Sequence, residues 1–283
     1  MGVLLDKINL LRPLVWLDDL SYTERLLGGG RTDWLDVAGL VALRRKAASL
    51  LRAEVTVVPA AAVAAAWIEA QPELRQAMAS KPRPVLPLRV LLADPGLRGR
   101  LDELIRALRA GLPGRPLILM VPSPRCWLAE AYRAAHGAGA AFTAGVEEID
   151  TAAVYVAEFL RSFGESGLDA VLLQEAAGAE PASAAEIAWY QPVLNIAGHY
   201  RWDLGLHLPD GSGFTGPVQN LDFVIASRPL PGCPTGVALD GKFWSGAAPP
   251  RAPAGGFLFT VVPADAVPEQ VLDRLAFLRG GAD

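Results

Sequence analysis

His199, in the stretch NIAGHYRWD, is the side chain whose type best suits proton exchange near neutral pH, since an imidazole titrates at about 6.5. Tyr200 beside it could donate to a developing oxyanion or simply pack as an aromatic. Asp203 follows at i,i+4, where it could orient the imidazole or stand as an exposed acid. Glu175 ends the run DAVLLQE, and a carboxylate there must be paired, hydrogen-bonded or wet. Asp18 and Asp19 follow the run LVWL, so one of them points inward if that run is a strand; together they could also favour the start of a helix. Arg125, in VPSPRCW just before a helix start, could hold a substrate carboxylate. Cys126 is a nucleophile only if its thiol pKa is lowered there, and otherwise a buried thiol. Lys242 could form a Schiff base if desolvated, or pair with Asp240. Trp127, with Trp16, Trp202 and Trp244, falls near strand ends and suits either an aromatic pocket wall or core packing. The expected site therefore has His199, Tyr200 and Glu175 as catalytic residues. Asp18, Asp19, Arg125, Asp203, Trp127, Asp240 and Lys242 are expected to bind substrate. Gly28–Gly30 lacks the Lys-Ser/Thr of a phosphate cradle and reads as a plain loop.

These residues would be positioned by short apolar runs, most ending in a polar residue. Strands are predicted at Leu14–Leu17, Val55–Pro59, Leu117–Pro122, Ala170–Glu175, Val193–Gly198, Phe223–Ser227, Val237–Gly241 and Gly256–Val262. Helical periodicity fills several gaps. Leu101, Leu104, Ile105, Leu108 and Leu112 share one stripe, as do Val154, Phe159, Leu160 and Phe163 after a cap at Asp150 or Thr151. Pro268 and Glu269 open a last helix. The cadence predicts a single α/β domain over residues 1–283, a closed (β/α)₈ TIM barrel whose site is the rim where the strands end. Rim loops are expected near 76–100, whose prolines argue against a central strand, and near 208–222 and 245–254.

Composition limits the function. With 52% hydrophobic residues the 283-residue chain can fill a barrel core, and a net charge of −4 argues against nucleic acid and anionic membranes as partners. Every apolar run is interrupted before it reaches the length of a membrane span, and Met1–Leu11 lacks a signal-peptide pattern, so a cytoplasmic location is expected. Cys126 and Cys233 form no close pair, and His136, His199 and His207 lack zinc-helix spacing. No metal and no cofactor are called for. The expected partner is a small-molecule substrate, with a homodimer left open.

Several segments carry a resemblance to a family. LDELIRALRAGLPGRPLILMVPSPRCWLAEAY has a helix–strand–turn layout, FLRSFGESGLDAVLLQEAAG a helix–Gly–strand unit, PVLNIAGHY a strand shape, and GGFLFTVVPADAVPEQV a terminal strand and helix. With the opening RPLVWLDDLSY they resemble the uroporphyrinogen decarboxylase superfamily, which includes corrinoid methyltransferases and cobalamin-independent methionine synthase. The resemblance implies the barrel fold. It also implies, for the methyltransferases, zinc held by a His-x-Cys pair and a later Cys, where this chain has Asn195, Ala197 and Pro263. For the decarboxylases it implies arginines after the first strand, where this chain has Asp19 and Thr23, and a histidine at the place of Pro263. A polycarboxylate tetrapyrrole is therefore not the expected substrate.

The reading that follows is a metal-independent lyase, decarboxylase-like, acting by proton transfer on a small or mid-sized polar molecule. One alternative is methyl or alkyl transfer with a corrinoid or pterin partner. Another is a non-catalytic barrel with a binding role.

Overall fold

The computed structural model describes residues 3–8, 14–140 and 142–280. Part of the Met1–Leu11 segment, and Arg12 and Pro13 of the opening motif, lie outside them. Eight strands form one all-parallel sheet: β1 (Val15–Asp18), β2 (Thr56–Pro59), β3 (Leu117–Pro122), β4 (Ala170–Gln174), β5 (Asp203–His207), β6 (Phe223–Ala226), β7 (Thr235–Ala238) and β8 (Phe257–Val261). Their order is β1-β8-β7-β6-β5-β4-β3-β2, so β2 to β8 run in sequence order, β1 pairs with β8, and the ends of the sheet are β1 and β2. The sheet is curled, because Trp16 of β1 and Val57 of β2 join one apolar cluster with Ile118, Leu172, Ile225 and Phe259 from the strands between. Among the described residues no ladder joins β1 to β2. The barrel is TIM-like but open along that seam, and not hydrogen-bonded all round as the sequence reading has it.

Alternation along each strand divides the side chains between an inner and an outer face. On β4, Ala170 and Leu172 point into the barrel, while Val171 and Leu173 point out to the helices. The interior is filled by aromatics: Trp16 stacks on Phe257 at 5.9 Å and lies 5.9 Å from Phe223 and 6.3 Å from Phe259. Two glycines make room for them. A Cβ on Gly205 would stand 2.2 Å from the Phe223 ring, and one on Gly236 would stand 2.3 Å from the Phe257 ring. Large residues thus occupy space that the adjacent strand leaves empty.

The helices are α1 (Val3–Ile8), α2 (Leu20–Leu27), α3 (Val37–Leu51), α4 (Ala60–Ala70), α5 (Pro72–Met78), α6 (Leu86–Ala93), α7 (Pro95–Gly111), α8 (Pro124–His136), α9 (Val146–Arg161), α10 (Ala184–Trp189), α11 (Gln191–Tyr200) and α12 (Pro268–Gly280). Helix α1 closes the bottom of the barrel. Leu4 and Ile8 enter the inner cluster, and the Leu5 N–H donates to Asp203 Oδ2 at 3.2 Å. Helix α9 begins earlier than its expected cap: Gly145 precedes it, and the Gly145 N–H donates to Glu148 Oε2 at 2.9 Å.

Two further expectations need correction. The segment Val193–Gly198 is not a strand but lies inside α11. Pro192 sits in its first turn and Val193 and Ala197 are its buried residues, one helical turn apart. The fifth strand is Asp203–His207, reached after Arg201 turns the chain through a left-handed conformation (φ 58°). The stretch 76–100 is not a rim loop across the mouth. Pro87 and Pro95 open helices α6 and α7, and Leu88, Leu91, Leu92 and Leu97 are buried against the helical layer. Of the other rim segments, 208–222 carries a two-residue strand, Phe214–Thr215, paired with Ala182–Ser183, and 245–254 holds neither helix nor strand.

Candidate functional site at the barrel mouth

The inner face of the strands leads at its C-terminal end to a small polar group. Continuing the alternation, Asp18 follows Trp16 on β1, Gln174 follows Leu172 on β4, and His207 follows Gly205 on β5. Gln174 Nε2 and His207 Nδ1 lie 3.4 Å apart, and the His207 ring is 5.0 Å from Phe259. Asp18 and His207 line a cavity with Trp16, Val57, Met120, Leu172 and Phe259, and Asp19 and Arg44 form another part of its wall. The cavity volume is about 10 Å³, room for a single water.

Burial sets the charge states. His207 is buried, and loss of solvent pushes its pKa down to about 4, so it is a neutral imidazole at physiological pH. Asp18 has its pKa raised, first by burial and then by the neighbouring Asp19 carboxylate. The Leu20 N–H, 3.3 Å from its Oδ1, and the Arg44 charge oppose that rise. Asp19 itself is paired. Arg44, on α3, donates to its Oδ1 at 2.7 Å and to Thr23 Oγ1 at 3.3 Å, with both charged side chains buried. The charge that Asp19 places after the first strand is thus balanced by Arg44.

A second polar group gathers at the same end of the sheet but on its outer face. Glu175, the residue after β4, continues the outward series of Val171 and Leu173, so it does not face the mouth. Its Oε2 accepts from Arg125 Nε at 2.8 Å and from the Cys126 thiol at 3.2 Å. The same Arg125 Nε lies 3.1 Å from Glu186 Oε1, and Arg125 also donates to the Glu180 carbonyl at 2.7 Å. Tyr190 donates to Glu186 Oε1 at 3.0 Å. Arg125 is therefore committed to two carboxylates of the protein. Burial first, and the Glu175 charge second, push the Cys126 thiol up to about 12, which leaves it protonated and not nucleophilic. Glu186 is likewise raised by burial, against the pull of Arg125. This cluster ties α8 and α10 to the end of β4.

The remaining expected site residues disperse. His199 is exposed near the C-terminus of α11, which feeds the start of β5. That puts it at the bottom of the barrel, the pole opposite the mouth. Tyr200 lies 4.9 Å from Trp202 with the rings tilted, and it packs on Gly164. Asp203 begins β5 and receives the α1 backbone, so it too belongs to the bottom. Trp127 is buried between sheet and helices, edge-on to Phe159 at 5.2 Å, with part of it walling an alanine-rich groove of about 360 Å³ between α4 and α8. Asp240 accepts from the Lys242 backbone N–H, and its carboxylate lies 3.8 Å from the Lys242 Nζ, which stays exposed to solvent and is not desolvated. Of the expected residues the structure brings Asp18 and Asp19 together at the mouth, and Arg125 and Glu175 together behind the sheet. It adds His207, Gln174 and Arg44. His207 carried a readable signal, since DLGLH is itself an apolar run ending in a polar residue.

The zinc that the family resemblance implies does not fit these side chains. Asn195 and Ala197 lie on α11, away from the mouth, and His207 is there without a thiolate, because Cys126 is bound behind the sheet and Cys233 precedes β7. Among the described residues no three His, Cys, Asp or Glu gather as metal ligands. Among the described residues no helix is long and apolar enough to cross a membrane.

No protein-family model and no curated protein matches the sequence. Among solved structures, the chain is similar to a methyltransferase from Methanosarcina mazei, with a TM-score of 0.61 at 12% identity over 99% of this chain and 97% of that one. The likeness is one of fold. It nevertheless turns the reading away from the metal-independent, decarboxylase-like lyase, whose proposed acid/base His199 stands at the wrong pole.

Proposed function

We propose that the barrel mouth transfers a methyl or other small alkyl group, with a corrinoid or pterin carrier as the partner that brings it. The observation that carries this reading is the size and lining of the cavity. About 10 Å³ between Trp16, Val57, Leu172 and Phe259 admits a one-carbon group or a water, while a carrier must stay above the rim. The methyltransferase of the same fold supports transfer over lyase chemistry.

Alkyl transfer to an oxygen, sulfur or nitrogen releases a proton, and the mouth has groups to receive it. Asp18, with its pKa raised by burial, is a stronger proton acceptor when ionised than an ordinary carboxylate. His207, neutral and beside Gln174, can hold a hydrogen bond to the acceptor without placing a positive charge in the path of the alkyl group. The test is to follow ¹³C-methyl loss from methylcobalamin and from a methyltetrahydropterin in the presence of small thiols, amines and alcohols. Turnover above the protein-free rate is expected with one carrier, falling about 10²-fold in Asp18→Asn. No protein-dependent transfer from either carrier would reject the reading.

A further inference from the structure

The side chains around the mouth cavity differ in how firmly they are held. Asp18, Leu20 and Met120 keep part of their surface in solvent, whereas Trp16, Val57, Leu172, His207 and Phe259 are buried. The cavity therefore reaches the mouth between the end of β1 and β3. Asp18 is the polar side of that entrance, and Leu20 belongs to the first turn of α2. Met120 is the apolar side that the barrel itself supplies. It shares the inward parity of Ile118, packs on the inner apolar cluster, and lies level with Leu172 on β4 and Pro59 on β2. The deeper wall is fixed, because Trp16 is held among Phe223, Phe257 and Phe259. Met120 is unbranched, turns about three bonds and is only partly buried, so it is the wall that can be reshaped.

We infer that Met120 is the specificity-determining residue of the mouth, its side chain limiting what enters from the rim to a group of one carbon. The inference rests on the transfer reading for what that group does, though not for the size limit itself. With Met120 in place the cavity holds about 10 Å³, which leaves no room for a second carbon beside the first. Cutting the side chain back to Cβ takes the thioether and its methyl out of one wall. The aromatic rings opposite are already packed on one another and do not close the gap, so the space grows on the β3 side, next to Leu172. In an apolar pocket one methylene changes preference by about 10–200-fold, so the variant should accept an ethyl group that the wild type rejects.

Crystals of the full chain under xenon pressure read the space without any reaction, since xenon settles in apolar cavities large enough to take it. No xenon is expected at the mouth of the wild type, and one site against Leu172 is expected in Met120→Ala. In parallel, the methyl and ethyl forms of the cobalamin and pterin carriers are compared as donors. The ratio of ethyl to methyl transfer should rise about tenfold or more in Met120→Ala and fall back in Met120→Leu, which restores the bulk. A general loss of active protein does not move that ratio. Met120→Val serves for both readouts if the alanine variant does not fold. Xenon in the wild type, none in the variant, or an unchanged ratio would overturn the inference. Xenon seated as expected with no transfer of either group would reject the transfer reading and leave Met120 as the wall that sizes the space. Wild-type protein that moves ethyl as fast as methyl would keep transfer and remove Met120 from its role.

Discussion

The mouth and the outer cluster are both polar groups at the C-terminal end of the same sheet, one residue apart on β4. Gln174 faces the barrel axis, near His207 and the mouth cavity. Glu175 faces the helices, where Arg125, Cys126, Glu186 and Tyr190 use up its surroundings. The two differ in what is left over. The inner group borders a cavity, and two of its buried atoms, Asp19 Oδ2 and Arg44 Nε, have no partner. The outer group is a tie between elements, with one open atom, Glu175 Oε1, and one arginine serving two acids. A polar residue at a strand end is thus a site residue or a strut according to its parity along the strand.

The comparison breaks most readily at Arg125. Arg125→Met would leave Glu175 and Glu186 buried together without their cation, and a loss of about 3–5 kcal/mol in urea unfolding is expected. A change under 1 kcal/mol would mean that the outer cluster is not a strut. The pH dependence sharpens the inner side. His207 binds its proton at about 4 when folded and near 6.5 when unfolded, so the unfolded chain takes up more protons between those values. Its contribution is present above pH 6.5 and is lost as pH falls toward 4, amounting to about 3 kcal/mol at most. His207→Gln should flatten that limb of a plot of Tm against pH; an unchanged slope would place the imidazole in solvent. Next in size is Gly205→Ala, whose methyl would drive into the Phe223 ring for a cost of about 1–3 kcal/mol. Full stability in that variant would argue against the close-packed interior beneath the mouth. The smallest effect is expected at His199→Ala: stability within about 0.5 kcal/mol and unchanged ¹³C-methyl transfer, since the residue is exposed at the opposite pole. A tenfold loss of transfer would restore it to the site.

Much of the architecture is readable from residue order. LILMVP is a strand over the very residues expected, and TVVP, AVLLQ, FVIA and FLFTV fall within a residue or two of their expected bounds. Runs bounded by Gly, Pro or charge leave little choice. The failure came at QPVLNIAGHYRWDLGLHLP, which has two apolar runs where the fold needs one strand. Both are short, and a run of that length suits a helix as well as a strand. Reading the first as the strand moved the expected acid/base to His199 and hid His207.

What the chain order alone decided is the layered α/β pattern of parallel strands and the presence of polar residues where strands end, because apolar periodicity is a local property. What only the tertiary structure decided is which of those residues meet. The pairing of Asp19 with Arg44, of Arg125 with two glutamates, and of Gln174 with His207 joins positions 25 to 61 residues apart. Such meetings depend on the curl of the sheet and on the face each side chain takes, and a single one-residue difference along a strand reverses that face.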